Sequence, residues 1–243
     1  MLDGSVSPLV TWDRLVTGFL SARINRFTAE VELADGRTVL AHCPNSGRML
    51  PCSEPRRPVF LTPANRHGRK LPYTWEMIEM PSSTVIVNTL RANQIARKAV
   101  ELGLVPELEG YTTIKSEVPL GTGSRIDLLL GKDAAPPCLV EVKSVTYVTA
   151  SGRALFPDAV SERALRHVRD LAAMKDKGFR ALLFFVIMRS DAVYLAPASH
   201  IDPAYADALG RAVSRGLEVV AHDVQVRGTS VLPGKNVPFG FGA

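Results

Sequence analysis

Ser124-Arg-Ile-Asp127, then thirteen residues, then Glu141-Val-Lys143 is the stretch whose reading decides the fold of this 243-residue chain. It sets one acid, a second acid and a lysine on two apolar segments that read as neighbouring strands. Side chains alternate between the faces of a strand, so Glu141 and Lys143 point to one face. Asp and Glu are the hard oxygen ligands that Mg²⁺ or Mn²⁺ takes, and a lysine two residues beyond the Glu is placed to orient an attacking water and help deprotonate it. Glu-x-Lys also occurs in any half-buried strand, so the motif gains weight only from what surrounds it.

Working outward, a helix is expected from Arg91 to Leu102, closed by Gly103, followed by a hairpin of Thr112 to Val118 and Ser124 to Leu130 around Leu120-Gly-Thr-Gly123. A third strand runs from Cys138 to Val145. A loop through Gly152 to Pro157 leads into a helix from Ala159 to Lys177, with Asp158 or Ser161 as N-cap and Gly178 as its stop. Ala181 to Met188 is a continuous apolar run, as in strands buried on both faces. Asp202-Pro203 opens a last helix that Gly216 ends before a strand from Leu217 to Val226, and the Gly- and Pro-rich tail from Gly228 reads as an extended or mobile strap. The order predicts an α/β domain, a mixed sheet with helices on both faces. It resembles the core of the restriction-endonuclease-like PD-(D/E)xK superfamily. In that frame Glu117, near the hairpin turn, joins Asp127, Glu141 and Lys143 at one end of the sheet, three carboxylates around one or two Mg²⁺ or Mn²⁺ ions. Bland alternatives stand beside this: Glu117 as a solvated acid, and Asp127 paired with Arg125 two residues before it.

The first eighty residues read differently, as short strands at Leu15 to Arg23, Phe27 to Leu33, Thr38 to His42, Val59 to Thr62 and Trp75 to Glu79, with an Asp35-Gly36 turn. That outline fits a small barrel, of the oligonucleotide-binding (OB) type or SH3-like. The expected division is a barrel over 1–82 and an α/β domain over 83–243. The barrel carries Arg23, Arg26, the segment His42-Cys-Pro-Asn45-Ser-Gly-Arg48, and Arg66-His-Gly-Arg69-Lys70. Between Arg48 and Lys70 six Lys or Arg face the single acid Glu54. Interleaved with Phe27, Tyr73 and Trp75, they suit phosphate neutralisation and base stacking on DNA, or are simply a basic surface. Arg125, Arg163 and His167 extend the basic set around the carboxylates, where Arg163, Arg166, His167 and Asp170 share a helix face. A net charge of +5 favours a polyanionic partner. Three cysteines without a CxxC pair, no signal-like N-terminus and no membrane-length apolar run point to the cytoplasm. His42-Cys43 has no second ligand pair, so zinc is not expected, and no glycine-rich phosphate loop or cofactor fingerprint supports a small-molecule enzyme.

Across its length the chain resembles the sugar fermentation stimulation protein A family. The residues carrying the resemblance are Ala41-His-Cys-Pro-Asn-Ser-Gly-Arg-Met49, Arg69-Lys-Leu-Pro-Tyr-Thr-Trp-Glu76, Val87-Asn-Thr89, Ser124-Arg-Ile-Asp127, Val140-Glu-Val-Lys143, Phe156-Pro-Asp-Ala159, Glu162-Arg163 with His167, and Ile201-Asp-Pro-Ala-Tyr205. The resemblance implies an OB-like N-terminal domain, a nuclease-like C-terminal domain, non-specific DNA binding and a link to sugar, notably maltose, utilisation in bacteria. Ser46 replaces the family's Thr, Pro55-Arg-Arg-Pro58 replaces its Gly-Ser turn, and Ala164 replaces a glycine, while Asp127, Glu141 and Lys143 are intact. Two functions follow: a Mg²⁺-dependent nuclease, or a DNA-binding regulator that keeps the fold without turnover.

Overall fold

The computed structural model describes residues 7–50, 52–64, 70–120, 124–133 and 135–242. Its N-terminal part comprises β1 (Val10–Thr11), β2 (Val16–Asn25), β3 (Thr28–Leu33), β4 (Thr38–His42), β5 (Pro58–Pro63), β6 (Tyr73–Glu79) and β7 (Thr84–Ile86). The strands lie in the order β4-β3-β2-β5-β6, and a parallel β4–β6 pairing closes five of them into an OB-type barrel. The β3–β4 turn needs a left-handed residue, which Gly36 supplies at φ 81° while Asp35 accepts a hydrogen bond from the Arg37 amide. Leu20, Val31, Leu61 and Trp75 fill the barrel. Trp75 is therefore core and not a stacking surface; its indole donates to the Met77 carbonyl at 2.9 Å.

The barrel sheet runs past residue 83, because β7 pairs with β6. β1 leaves the barrel and pairs with the last strand of the chain. Neither segment is long enough to show a period of two.

The rest of the chain runs α1 (Arg91–Glu101), β8 (Thr113–Pro119), β9 (Arg125–Gly131), β10 (Cys138–Val145), β11 (Arg153–Phe156), α2 (Glu162–Asp176), β12 (Arg180–Ile187), β13 (Tyr194–Pro197), α3 (Pro203–Ser214), β14 (Glu218–Arg227) and β15 (Ser230–Asn236). Seven strands form one mixed sheet in the order β1-β15-β14-β12-β10-β9-β8, with β10, β12 and β14 parallel. Ser161 caps α2, its hydroxyl accepting from the Ala164 amide at 3.1 Å, and Asp202 caps α3 through the Tyr205 amide at 3.0 Å. α1 packs on one face through Ile95 against Leu128, Val140 and Phe184; α2 and α3 cover the other through Val168 and Leu209 against Leu139 and Phe185. Burying each such side chain contributes about 1.5–3 kcal/mol. The first cluster also takes in Met77 and Ile86 of the barrel sheet, so the two parts share a core.

Two expectations change here. The stretch 152–157 contains β11, which pairs in parallel with β13 in a separate two-stranded sheet. The tail is a ladder strand, β15 on β14, where a Cβ at Gly234 would run into the Asp223 carboxylate. Cys43, Cys52 and Cys138 are buried and unpaired. No helix of the described residues is long and apolar enough to cross a membrane.

Candidate active site

The ladder between β9 and β10 ends at Leu128–Val140. One step further in register Asp127 would face Glu141, but here the Asp127 side chain takes the place of the backbone, its Oδ2 accepting from the Val142 amide at 2.8 Å. On the other side of β9 the pairs Ser116–Leu128 and Val118–Ile126 flank the position where Glu117 meets Asp127, and Glu117 adopts a left-handed φ of 54°. Glu117, Asp127 and Glu141 thus form one row across three strands. Asn93 of α1 bridges two of them, its Nδ2 donating to Asp127 Oδ1 at 2.7 Å and lying 3.4 Å from Glu117 Oε1.

Glu141 and Lys143 face α2, as the strand period requires. Both are buried, at 3% and 8% exposure, as is His167 at 7%. Lys143 Nζ donates to Glu141 Oε1 at 2.7 Å, and the same oxygen takes the hydrogen bond of His167 Nδ1. Arg163 Nε reaches His167 Nε2 at 3.4 Å, which selects the tautomer with the proton on Nδ1. Glu141 Oε2 is bonded to no described residue. Burial opposes ionisation of Glu141, but the His167 hydrogen bond and the Lys143 charge outweigh it and hold its carboxyl below the usual range. Asp127 goes the other way: burial and then the negative charge of Glu141 push it up to about 6, against the Val142 and Asn93 hydrogen bonds.

Glu117, Asp127, Glu141, Lys143 and His167 line one cleft of about 620 Å³. The three carboxylates expected around one or two ions line this cleft together, although among the described residues no three His, Cys, Asp or Glu side chains are grouped closely enough to hold a metal. Asp127 and Glu141 are the pair in the wall, and Glu117 is exposed at the end of the row. Arg125 makes no ion pair with Asp127.

The basic residues divide. Arg23 donates to the carbonyls of Arg48, Arg26, Asn45 and Gly47 at 2.8–3.0 Å, so its guanidinium ties the chain to itself and is not offered to DNA. Asn45 is 4% exposed, donates to the Val87 carbonyl and accepts from the Gly47 amide; it too is a structural tie. Its segment lies along the cleft edge, held by Thr89 Oγ1 on the Pro44 carbonyl and by the Met49 amide on Asp158, with Gly47 too close to that carboxylate for any Cβ. His42 lines a different cleft, with Trp12 and Gln94. Arg26, Arg48, Lys70, Arg125 and Arg163 are exposed and make no ion pair with described residues, unlike Arg57, Arg97 and Arg211. Arg26 and Arg163 reach the carboxylate cleft from the barrel and from α2. Arg69 lies outside the described residues. Sequence reading missed Asn93, for which an Asn within a helix, where its propensity is poor, was the available signal, and offered Asp158 as a helix cap, whereas Ser161 caps α2 and Asp158 holds the Met49 amide.

Residues 22–87 match the family model described as the SfsA N-terminal OB domain, and residues 90–230 match that of the sugar fermentation stimulation protein RE domain. The sugar fermentation stimulation protein homolog of Acidithiobacillus ferrooxidans is 43% identical over 208 residues, 86% of this chain and 90% of that one. The homolog of a Geobacter species is 45% identical over 217 residues, 89% of this chain and 93% of its own. The structure of Pyrococcus furiosus SfsA in complex with Ca²⁺ superposes with a TM-score of 0.87 at 27% identity, covering 97% of this chain and all of the other.

Proposed function

This chain belongs to the sugar fermentation stimulation protein family, and from that membership and the chemistry of the cleft we propose that it binds DNA and hydrolyses its phosphodiester bonds with Mg²⁺ or Mn²⁺. The observation that carries the reading is the Asp127–Glu141 pair, two carboxylates side by side where two strands part, with a single lysine bonded to Glu141 and the helix behind. A hard divalent cation fits this donor set. Asp127 is pushed up to about 6 by burial and by its neighbour's charge, a repulsion that a cation relieves, and Glu141 keeps one oxygen free of any described partner. Asp127 and Glu141 would leave positions on such an ion open to water and phosphate oxygens, as Mg²⁺ prefers. The Ca²⁺ held by the Pyrococcus furiosus relative supports the same choice.

Bound there, a cation neutralises phosphate charge and lowers the pKa of a coordinated water. The chain's own residues supply the rest. Asp127 and Glu141 hold the ion, with Glu117 as an accessory acid. Lys143 presents its ammonium beside Glu141, where it orients the attacking water and the phosphate. His167 fixes Glu141 Oε1 and so directs Oε2 into the cleft. Arg26 and Arg163 grip phosphates on either side, and the barrel adds Arg48 and Lys70.

A second reading, a DNA-binding regulator without turnover, is favoured by one observation: Lys143 and His167 already satisfy Glu141 Oε1 in a closed network. It suits the family's sugar-related name. Incubating supercoiled plasmid with the protein and Mg²⁺ or Mn²⁺ separates the two. The nuclease reading expects nicking that Lys143→Ala reduces by about 100-fold or more; no nicking by the wild type, with binding retained, leaves the regulator.

A further inference from the structure

Of the large apolar side chains among the described residues, the two most exposed are Val160 at 72% and Leu90 at 69%, and both line the carboxylate cleft. A single exposed leucine needs no explanation. Two at one rim, set among exposed arginines, do. Leu90 is also held rigidly. Its amide donates to Asn88 Oδ1 at 3.1 Å, and the preceding Thr89 is fastened to the Pro44 carbonyl through both its amide and its hydroxyl. Leu90 stands on a ridge with the carboxylate cleft on one side and a second cleft of about 660 Å³ on the other, walled by Arg14, His42 and Gln94.

The carboxylate cleft, at about 620 Å³, is of a size for a small ligand. Glu141 lies at 3% exposure in its wall. A strand drawn out of the stacked duplex can enter such a cleft and bring a phosphate to that carboxylate, and an unstacked base offers the flat apolar face that leucine and valine cover. Apolar wedges act on DNA in this way, at a cost of a few kcal/mol per unstacked step.

Resting on the DNA-cleaving reading above, we infer that Leu90 is a strand-separating wedge and that the substrate is DNA unpaired at the scissile step, one strand entering the carboxylate cleft and the other passing over the ridge towards the second cleft. Val160 closes on the separated strand from the α2 side.

Fluorescence anisotropy of the full-length protein in EDTA tests this, with a fully paired duplex and the same duplex carrying a central unpaired bubble as probes. The wild type is expected to bind the bubble about tenfold or more tightly than the paired duplex, since the unstacking cost is spared. Leu90→Ser is expected to bring the two within about twofold of each other, and Val193→Ser, which removes another exposed apolar side chain, at 59%, outside the cleft lining, to leave the preference intact. Equal affinity of the wild type for both probes overturns the wedge while the DNA-binding reading stands. A preference that survives in Leu90→Ser overturns the role of Leu90. No binding to either probe overturns the wedge and the DNA-binding reading together.

Discussion

Two buried charged clusters sit on either side of α1, and they differ in stoichiometry. At the barrel side, the single carboxylate of Glu76 meets one guanidinium: Oε1 accepts from Thr62 and Arg91, and Oε2 from Asn88 and Arg91, all at 2.9–3.0 Å. One negative charge, one positive charge and every oxygen occupied make a structural joint between the barrel and the helix. At the sheet side there are two carboxylates, Asp127 and Glu141, and one ammonium, which bonds Glu141 alone, and Glu141 Oε2 is bonded to no described residue. The same ingredients give a joint in one place and, in the other, the surplus of acid on which the proposed cation site rests. Burial of charge alone marks neither as a site; the surplus of acid over base does.

The comparison can be broken in order of expected effect. Glu76→Ala orphans a guanidinium whose side chain is only 23% exposed, and denaturant unfolding should show a loss of about 3–5 kcal/mol, typical of removing one partner from a buried pair. A loss below about 1 kcal/mol would mean that the joint carries little.

Asp127→Asn should do the reverse in the metal-free protein. Asp127 has a folded-state pKa near 6, above the value of about 3.9 expected in the unfolded chain. Its ionised form therefore costs stability. That cost is present above pH 6, falls away as pH drops through 6, and is gone near pH 4 where both states are protonated. The amide keeps an acceptor for the Val142 amide, and a flip of Asn93 restores the second hydrogen bond. The variant should be more stable than the wild type at pH 8 by of order 2 kcal/mol, with the two converging near pH 4. A variant less stable at pH 8 contradicts the repulsion.

Smaller still, Arg26→Ala and Arg163→Ala should each lower the log-log salt slope of duplex binding by about 1, since each phosphate contact contributes about 0.9. Arg23→Ala should leave the slope alone and lower stability instead, because both of its terminal nitrogens are spent on carbonyls. A reduced slope there would restore Arg23 to the DNA surface.

What the sequence disclosed follows the length of its signals. Long periodic elements, such as the strand Cys138 to Val145 and the helix stopped by Gly178, are read within three residues at either end, because burial on a periodic element needs that pattern. β1, β7, β11 and β13 have two to four residues each, too few for a period, and exist because a partner strand is there to receive them. β15 hides behind Pro233 and Gly234, the glycine sitting where the neighbouring Asp223 leaves no room for a side chain. At the site, Asp127, Glu141, Lys143 and His167 are legible from spacing within strand and helix. Asn93 is not, because it comes from a helix more than thirty residues away and its role is set by register. Arg23 and Asn45 show the opposite failure: residue type suggested DNA, while their hydrogen bonds are consumed in folding their own segment.

The account's central claim is that the surplus of acid at the sheet corner is a seat for a divalent cation. Thermal unfolding at pH 8 with and without Mn²⁺, for the wild type and Asp127→Asn, tests it most directly. At a hundredfold excess over Kd a bound ion adds about 2.7 kcal/mol, a shift of several degrees in Tm for a chain of this size. The account predicts that shift in the wild type and its loss in Asp127→Asn. An equal shift in both proteins, or none in the wild type, would contradict it.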